Sequence, residues 1–298
     1  FPTRRSSDLE SLNLSHLRIK KIQSLEGLIN LQQANFSHNL IEKIENLEFC
    51  PNLEELNLEK NKISKIEGLG GLSFLKKLEL GKNKISVIEN LDHLENLNQL
   101  SIEDNQITSL QGFPILKNLM ELYLGNNNIS DIKEIKHLSE LPKTIILDIS
   151  GNPLTKEPNY RIFILFHMKK LKVLDGISIE AAEIQSAKET FTGRLTEELL
   201  ESRLNGISAS EIKLLDLSNC KLKDFDDMFT QSNFPHLREL NLSNNLFQTL
   251  RCIGYMPHLR LLNLSANRIE TLVIPNVNIL DCKKGLNGLN VIFFPIFY

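Results

Sequence analysis

The chain of 298 residues is 41% hydrophobic and 24% charged, with a formal net charge of −3. This is the composition of a folded chain, and so small a net charge supplies no general attraction to nucleic acid or to anionic lipid. Tryptophan is absent and aromatics make up only 6%, so the core must be built from aliphatic side chains.

Taken in chain order, residues 1–8 (FPTRRSSD) resemble the conceptual translation of a sequencing adapter and are set aside from fold reasoning. From residue 9 to 156 a unit of 22 residues recurs, L-x-x-L-x-L-x-x-N-x-I-x-x-I-x-x-L-x-x-L-x-x. One copy runs Leu53, Leu56, Leu58, Asn61, Ile63, Ile66, Leu69, Leu72, and the next runs Leu75, Leu78, Leu80, Asn83, Ile85, Ile88. Copies anchored on Asn105 and Asn127 keep the register, Asn39 marks one upstream, and Asn152 closes a seventh after three extra residues near Leu141-Pro142-Lys143. A fixed period of this length signals stacked units that cannot bury their apolar face alone. The L-x-L alternation has the period of a strand with one buried face, which predicts a parallel sheet. Each Asn follows its strand where the chain turns inward, and its amide can satisfy stranded backbone groups from unit to unit as a ladder. The same role falls to Asn245 and Asn267 further on. The remaining connection of about a dozen residues is too short for a long helix and predicts 3₁₀ turns.

Residues 157–180 read as the cover for the open end of this array. Pro158 and Asn159 start a helix whose Tyr160, Phe163, Ile164 and His167 share a face by spacing, and Leu171–Gly176 follow as a last strand and turn. His167, with no second ligand nearby, reads as a packing residue. Residues 181–211 are charged and helix-favouring, interrupted by Gly193 and ended by Gly206, and read as a connector lying outside the first core. A second array spans 212–275, with Cys220 in the Asn position and clean copies around Asn245 and Asn267. It is expected to continue beyond this chain, because no cap is recognisable. Residues 276–298 drop the pattern and read as an irregular tail.

Cys50, Cys220, Cys252 and Cys282 are scattered, with no C-x-x-C pair, so neither a zinc site nor a disulfide framework is indicated and a reducing cytoplasm fits. Sequons such as Asn35-Phe36-Ser37 fall inside predicted strands and read as repeat residues. The apolar run Val291–Tyr298 is far short of the roughly 20 residues that span a bilayer.

The motif N-x-I-x-x-I-E-G-L at Asn61–Leu69 resembles the short cytoplasmic class of leucine-rich repeats, which includes the regulatory subunit of protein phosphatase 1, axonemal dynein light chain 1 and centrosomal proteins. The resemblance implies an α/β leucine-rich-repeat solenoid, a right-handed superhelix with a parallel sheet on its concave face and short helices on its convex face. NYRIFILFHMKKLKVLDGISIE at 159–180 and SAKETFTGRLTEELL at 186–200 are similar to the leucine-rich repeat-containing protein 9 family, of which this chain would be an internal part. That resemblance implies a link with cilia and no enzyme activity.

A catalytic reading needs a nucleophile, a base and a stabiliser converging on one place. Ser15-His16 and Ser37-His38 lie at strand ends with no third partner, and Gly68-Leu69-Gly70-Gly71 lacks the Lys-Ser/Thr of a phosphate loop. The chain is therefore expected not to be an enzyme and to need no metal or cofactor. The positions around each L-x-L are free of packing duty and mark a concave binding surface: Glu54, Glu55, Asn57, Lys76, Lys77, Glu79, Gln99, Ser101, Glu103, Met120, Glu121 and Tyr123. Acidic and basic stripes alternate there, either as a recognition pattern or simply as neighbours that pair with each other. Met120 and Tyr123 interrupt the polar surface with residue types that anchor interfaces. The partners expected are proteins, axonemal or cytoskeletal, or the catalytic subunit of the phosphatase, with neither nucleic acid nor membrane.

Overall fold

A computed structural model of the chain describes residues 8–224, 229–248, 256, 258–269 and 290–292. Residues 1–7 of the adapter-like segment, Cys252, Cys282 and most of the tail lie outside the described residues. The chain divides into two compact units, Phe1–Lys188 and Glu189–Tyr298.

In the first unit eight three- or two-residue strands line up in chain order, all parallel: β1 (Ser11–Asn13), β2 (Gln33–Asn35), β3 (Glu55–Asn57), β4 (Lys77–Glu79), β5 (Gln99–Ser101), β6 (Glu121–Tyr123), β7 (Ile146–Asp148) and β8 (Val173–Leu174). A ninth, β9 (Ile177–Ser178), returns antiparallel to β8. The register stacks like on like. Leu56, Leu78, Leu100, Leu122 and Leu147 are cross-strand partners and all point inward, because each is the middle residue of a three-residue pleat. Leu58, Leu80, Ile102, Leu124 and Ile149 continue this inner row just past the strands and are fully buried. Each burial contributes about 1.5–3 kcal/mol, and only a neighbouring unit makes it possible.

Away from the sheet, the Leu-x-x-Leu spacing closes single turns through i to i−3 backbone bonds, such as Leu72 N–H to Leu69 O and Leu75 N–H to Leu72 O. True 3₁₀ segments form at Leu47–Phe49, Ile132–Leu138 and Pro153–Lys156. The second of these, capped by the Asp131 carboxylate on Lys133 N–H, precedes the extra residues that lengthen this coil before β7. The residue two after Ile22, Ile44, Ile66 and Ile88 is left-handed, with φ of 61° at Ser24, 61° at Asn46, 70° at Gly68 and 59° at Asn90, a conformation that suits Gly and short polar residues. Asn46 and Asn90 also donate their amides to Ile22 O and Ile66 O of the coil before, at 2.6 and 2.7 Å.

The open end of the sheet is covered by α1 (Tyr160–His167), which packs on the segments Ile132–Leu138 and Pro153–Lys156. Its buried residues are Ile164 and Leu165, followed by Met168, whereas Tyr160, Phe163 and His167 are only half-buried. The spacing-based face is thus rotated by part of a turn, because a two-turn helix seats its middle on the core and leaves its ends at the rim. His167 packs against the rings of Phe163 and Phe166 at 4.5 and 5.3 Å. The hairpin β8–β9 turns through Asp175 and Gly176, both left-handed (φ 53° and 75°), as a two-residue connection requires. Arg161 then ties three pieces together: Nε to Glu183 Oε1 at 2.5 Å, Nη1 to Leu174 O at 3.1 Å and Nη2 to Ser178 O at 3.4 Å.

The segment 181–211 is more than a connector. It forms α2 (Ala181–Phe191) and α3 (Glu197–Leu204), the latter capped by Thr196 Oγ1 on Leu199 N–H. Ala187 on α2 is 1% exposed inside the first core, contrary to the expectation that this stretch stands outside it. Its small side chain and the Glu183 grip on Arg161 hold α2 against the cap. Leu195, Leu200 and Leu204 are buried in the second core with Ile212, Leu215 and Leu217. In the second unit β10 (Leu214–Asp216), β11 (Glu239–Asn241), β12 (Leu261–Asn263) and β13 (Asn290–Ile292) form a parallel sheet. β13 lies within the segment that reads as irregular tail. Val291 and Ile292 are β-branched and pair there with Leu262 and Asn263, a signal too short to be seen without the partner strand.

Candidate interaction surface

The strand ends are held by the asparagines. Asn83 Nδ2 donates to Leu58 O, Leu80 O and Gly81 O at 3.0, 3.0 and 3.1 Å, and its Oδ1 accepts Ile63 N–H at 3.0 Å. Asn61, Asn105 and Asn127 repeat this arrangement, and Asn39 and Asn152 carry it to Ile19 and Ile129. Asn245 and Asn267 do the same in the second unit, where Asn245 Oδ1 accepts the N–H of both Cys220 and Leu222. Beyond the last of these amides, at Asn152, Asp175 Oδ1 accepts Ile149 N–H at 2.8 Å, in the place where the strand carbonyl of Asp148 accepts Leu124 N–H on the coil before, while Tyr160 Oη donates to Asp175 Oδ2 at 3.2 Å. Burial pushes that carboxyl above its usual range. Just before each Asn the backbone passes through a left-handed residue such as Lys60, Lys82 or Asp104 (φ 52–54°), which turns the amide inward.

With its ends pinned, every strand presents two side chains on the outward face in columns one strand spacing apart, roughly 4.8 Å. Glu55, Asn57, Lys77, Glu79, Gln99, Glu121 and Tyr123 occupy those places, with Glu54, Lys76 and Met120 one residue before their strands and Glu103 two residues after β5. Ser101, expected among the contact residues, is only 7% exposed. It sits between its larger cross-strand partners Glu79 and Tyr123 and gives its hydroxyl to Glu103. Asn57 is partly committed too, accepting Glu59 N–H at 2.9 Å and donating to Glu79.

The two halves of this face differ. Over β2–β4 the charges pair with each other: Lys76 with Glu54, Lys77 with Glu79 and Lys82 with Glu59, each at 2.7 Å. Hydrogen bonding to Glu79 holds the Lys77 ammonium above its usual range. Such exposed pairs contribute about 0–1 kcal/mol each. β1–β4 bound an open depression of about 310 Å³ whose lining includes Ser11, Asn13, Gln33 and Asn35. Over β5–β7 the balance changes. Tyr123 Oη donates to Glu121 Oε2 at 2.9 Å, and burial, that bond and the charges of Glu121, Glu103 and Asp148 push its phenol up to about 12. Among the described residues no Lys or Arg forms an ion pair with Glu103, Glu121 or Asp148.

Next to these carboxylates lies an apolar strip in which Met120, expected on this face, is joined by Ile145, Ile146 and Val173, which the sequence reading did not include. Met120 is 42% exposed, Ile145, Ile146 and Val173 are half-buried, and the backbone bond from Ile145 N–H to Met120 O together with the Glu121–Ile146–Val173 register makes them neighbours. The signal was present in Ile145-Ile146-Leu147, three apolar residues in a row where one inward Leu would suffice. The outward face of the second unit has its own character: Lys213, Arg238 and Arg260 are exposed and adjacent through the bonds from Arg238 N–H to Lys213 O and from Arg260 N–H to Arg238 O. The paired Ser-His steps do not converge on a reactive group; the rings of His16 and His38 stack on each other at 4.1 Å. No group of three or more His, Cys, Asp or Glu side chains suited to a metal is found among the described residues. Nor is any helix among them long and apolar enough to cross a membrane.

Stacked parallel strands, an asparagine ladder and a 22-residue period agree with comparison to known families. Leucine-rich-repeat profiles match residues 29–71, 78–203 and 210–269. The chain is a leucine-rich-repeat protein. Proteins of this family mediate protein–protein interaction. Among characterised relatives of this leucine-rich-repeat chain, U2 small nuclear ribonucleoprotein A′ of Candida albicans is 32% identical over 99 residues, 33% of this chain and 42% of that protein. Its Arabidopsis thaliana counterpart is 37% identical over 60 residues, 20% of this chain and 24% of that protein. The chain thus spans less than half the length of either relative. Among solved structures, internalin C2 from Listeria monocytogenes is similar with a TM-score of 0.48 and 26% identity, covering 56% of this chain and 71% of that one. The Drosophila melanogaster SNF/U2A′ complex is similar with a TM-score of 0.30 and 23% identity, covering 66% and 87%.

Proposed function

We propose that this chain is a non-catalytic scaffold and that the outward sheet face of its first array receives a protein partner. The observation that supports this most is the surface over β5–β8, where Met120, Ile145, Ile146 and Val173 stay open beside carboxylates that form no ion pair with a Lys or Arg among the described residues. Side chains in a self-sufficient surface pair, as they do over β3 and β4; here the acidic groups, held by neutral hydrogen bonds from Ser101, Tyr123 and Ser150, have no ion pair among the described residues, and the apolar ones stay open beside them. Free thiols at Cys50 and Cys220 fit a reducing compartment. The domain plan proposed with it is two arrays, 9–156 and 212–275, with the cap of the first at 157–180.

The setting is proposed from resemblance alone: residues 159–180 and 186–200 suggest an internal part of a cilium-linked leucine-rich-repeat protein. The full chain, wild type and with Met120→Ala plus Tyr123→Ala, is used as bait in extract from ciliated cells. Recovery of axonemal or cytoskeletal proteins supports the ciliary setting, recovery of the phosphatase 1 catalytic subunit as the stoichiometric partner supports a regulatory-subunit role, and ribonucleoprotein components would follow the U2A′ likeness. In each case calorimetry with the recovered partner decides the docking face. Loss of about 2 kcal/mol or more in the double variant, with thermal stability within about 1 kcal/mol, is expected. Equal affinity would sink the face.

A further inference from the structure

Resting on the docking face just proposed, we infer the chemistry of what docks there: an extended or helical peptide segment carrying two or more Lys or Arg beside an aliphatic or aromatic side chain. Glu103, Glu121 and Asp148 lie on or just after β5, β6 and β7 and surround the Tyr123 hydroxyl closely enough to act together on its proton. Each already accepts one bond from its own strand or turn, from Ser101, Tyr123 and Ser150 N–H respectively. A carboxylate has about four acceptor directions, so each keeps capacity for a charged donor. None has a Lys or Arg at ion-pair distance among the described residues; Lys77 and Lys82, which act on Glu121 and Glu103 at longer range, are paired with Glu79 and Glu59 instead. The deficit is therefore local to β5–β7.

The surroundings suit an incoming guanidinium or ammonium. Gly81 and Gly125 occupy the column of Glu103 on the two neighbouring coils, and the missing side chains let acids lie along the face: the Glu103 carboxyl sits over Gly81, 3.2 Å from where a Cβ would stand, and Asp148 Oδ1 sits over Gly125 at 3.5 Å. On the other side, Met120, Ile145, Ile146 and Val173 offer a strip for an apolar side chain one or two residues away in the partner. Unpaired acid beside open aliphatic surface calls for a partner of the opposite pattern. An acidic segment would meet repulsion, and a purely polar one would leave the strip uncovered. A second copy of the chain carries exposed Lys213, Arg238 and Arg260 beside Leu214 at 60% exposure, and it stands as the competing occupant that the test must exclude.

The test selects binders to the full chain from a library of random 16-residue peptides and measures them by fluorescence anisotropy. Expected are sequences rich in Lys or Arg next to apolar residues, whose affinity falls at least tenfold for Glu121→Gln plus Asp148→Asn. It should also fall at least fivefold between about 0.05 and about 0.5 M salt, and change less than twofold for Lys65→Ala, an exposed lysine away from the strands. Peptides lost with Met120→Ala plus Tyr123→Ala but indifferent to the carboxylate changes and to salt overturn the basic chemistry while leaving the docking face standing. Peptides indifferent to both sets overturn both, and a library that yields no binder overturns the inference. Sedimentation that reveals self-association of the chain, abolished by Glu121→Gln plus Asp148→Asn, replaces the peptide segment with a second copy and overturns it as well.

Discussion

Replacing Asn83 with Leu tests the ladder at its centre. The side chain is 9% exposed and takes part in four hydrogen bonds, but they are not equal in consequence. Leu58 O keeps the Asn61 amide, Leu80 O keeps the Asn105 amide and Gly81 O keeps Lys60 N–H, so each carbonyl retains a donor. Ile63 N–H has Asn83 Oδ1 as its acceptor, and Leu would leave this buried donor with none. An orphaned buried N–H costs about 1–3 kcal/mol, with a few tenths more for each weakened carbonyl, and the leucine's added apolar burial offsets part of it. The net expectation is a loss of about 2 kcal/mol, or about 4–8 °C in melting temperature for an array of this size. Because two compact units need not unfold together, the melt is followed by calorimetry and the site by hydrogen exchange. The Ile63 amide should exchange faster in the variant by at least tenfold more than amides near Asn127. A melt within 1 °C of wild type, with the Ile63 amide equally protected, would refute the reasoning.

Gly68→Ala places a Cβ against the Ile44 carbonyl, whose carbon would lie 2.9 Å away, on a left-handed backbone, whereas Gly112→Ala meets open space at a similar φ. The first should cost well over the roughly 1–2 kcal/mol of left-handed strain expected for the second, and equal melting temperatures for the two would count against the close packing of coils. The hydrogen bond from Arg161 holds the Glu183 carboxyl below its ordinary value of 4.5. A lowered folded pKa means stability present above about 4.5 and lost as pH falls through the folded value, so acid melts of wild type should decline there more steeply than those of Glu183→Gln. Truncation after Ile179 removes both Glu183 and the buried Ala187, and should lower the melting temperature of the first array; an unchanged melt would mean α2 is dispensable to it. Glu121→Gln should bring the Tyr123 phenol down from about 12 toward its ordinary 10, read by ultraviolet titration, since a carboxylate charge and its acceptor are removed together.

The repeat was legible from sequence because its signals are local and multiplied: Leu56, Leu78, Leu100 and Leu122 recur at one spacing, and an Asn follows each strand at a fixed distance. A period of that kind specifies which side chain points inward, where the chain turns and which elements are neighbours, so the parallel sheet follows without knowledge of any long-range contact. Other features depend on what a neighbouring coil or helix brings to a given side chain. Asp175 offers its carboxylate in place of a strand carbonyl because Ile149 N–H stands beside it, and the middle of α1, rather than the face its spacing suggests, seats on the core. The segment around Gly193 divides, with Ala187 in one core and Leu195 in another. The outward face shows the same division: its residues could be named from the repeat, but whether Glu54 is neutralised, by Lys76 on the next coil, and Glu121 is not depends on neighbours 22 or more residues away. A one-dimensional pattern records which residues alternate, while pairing, burial and residual charge are properties of surfaces that exist only after the coils have stacked.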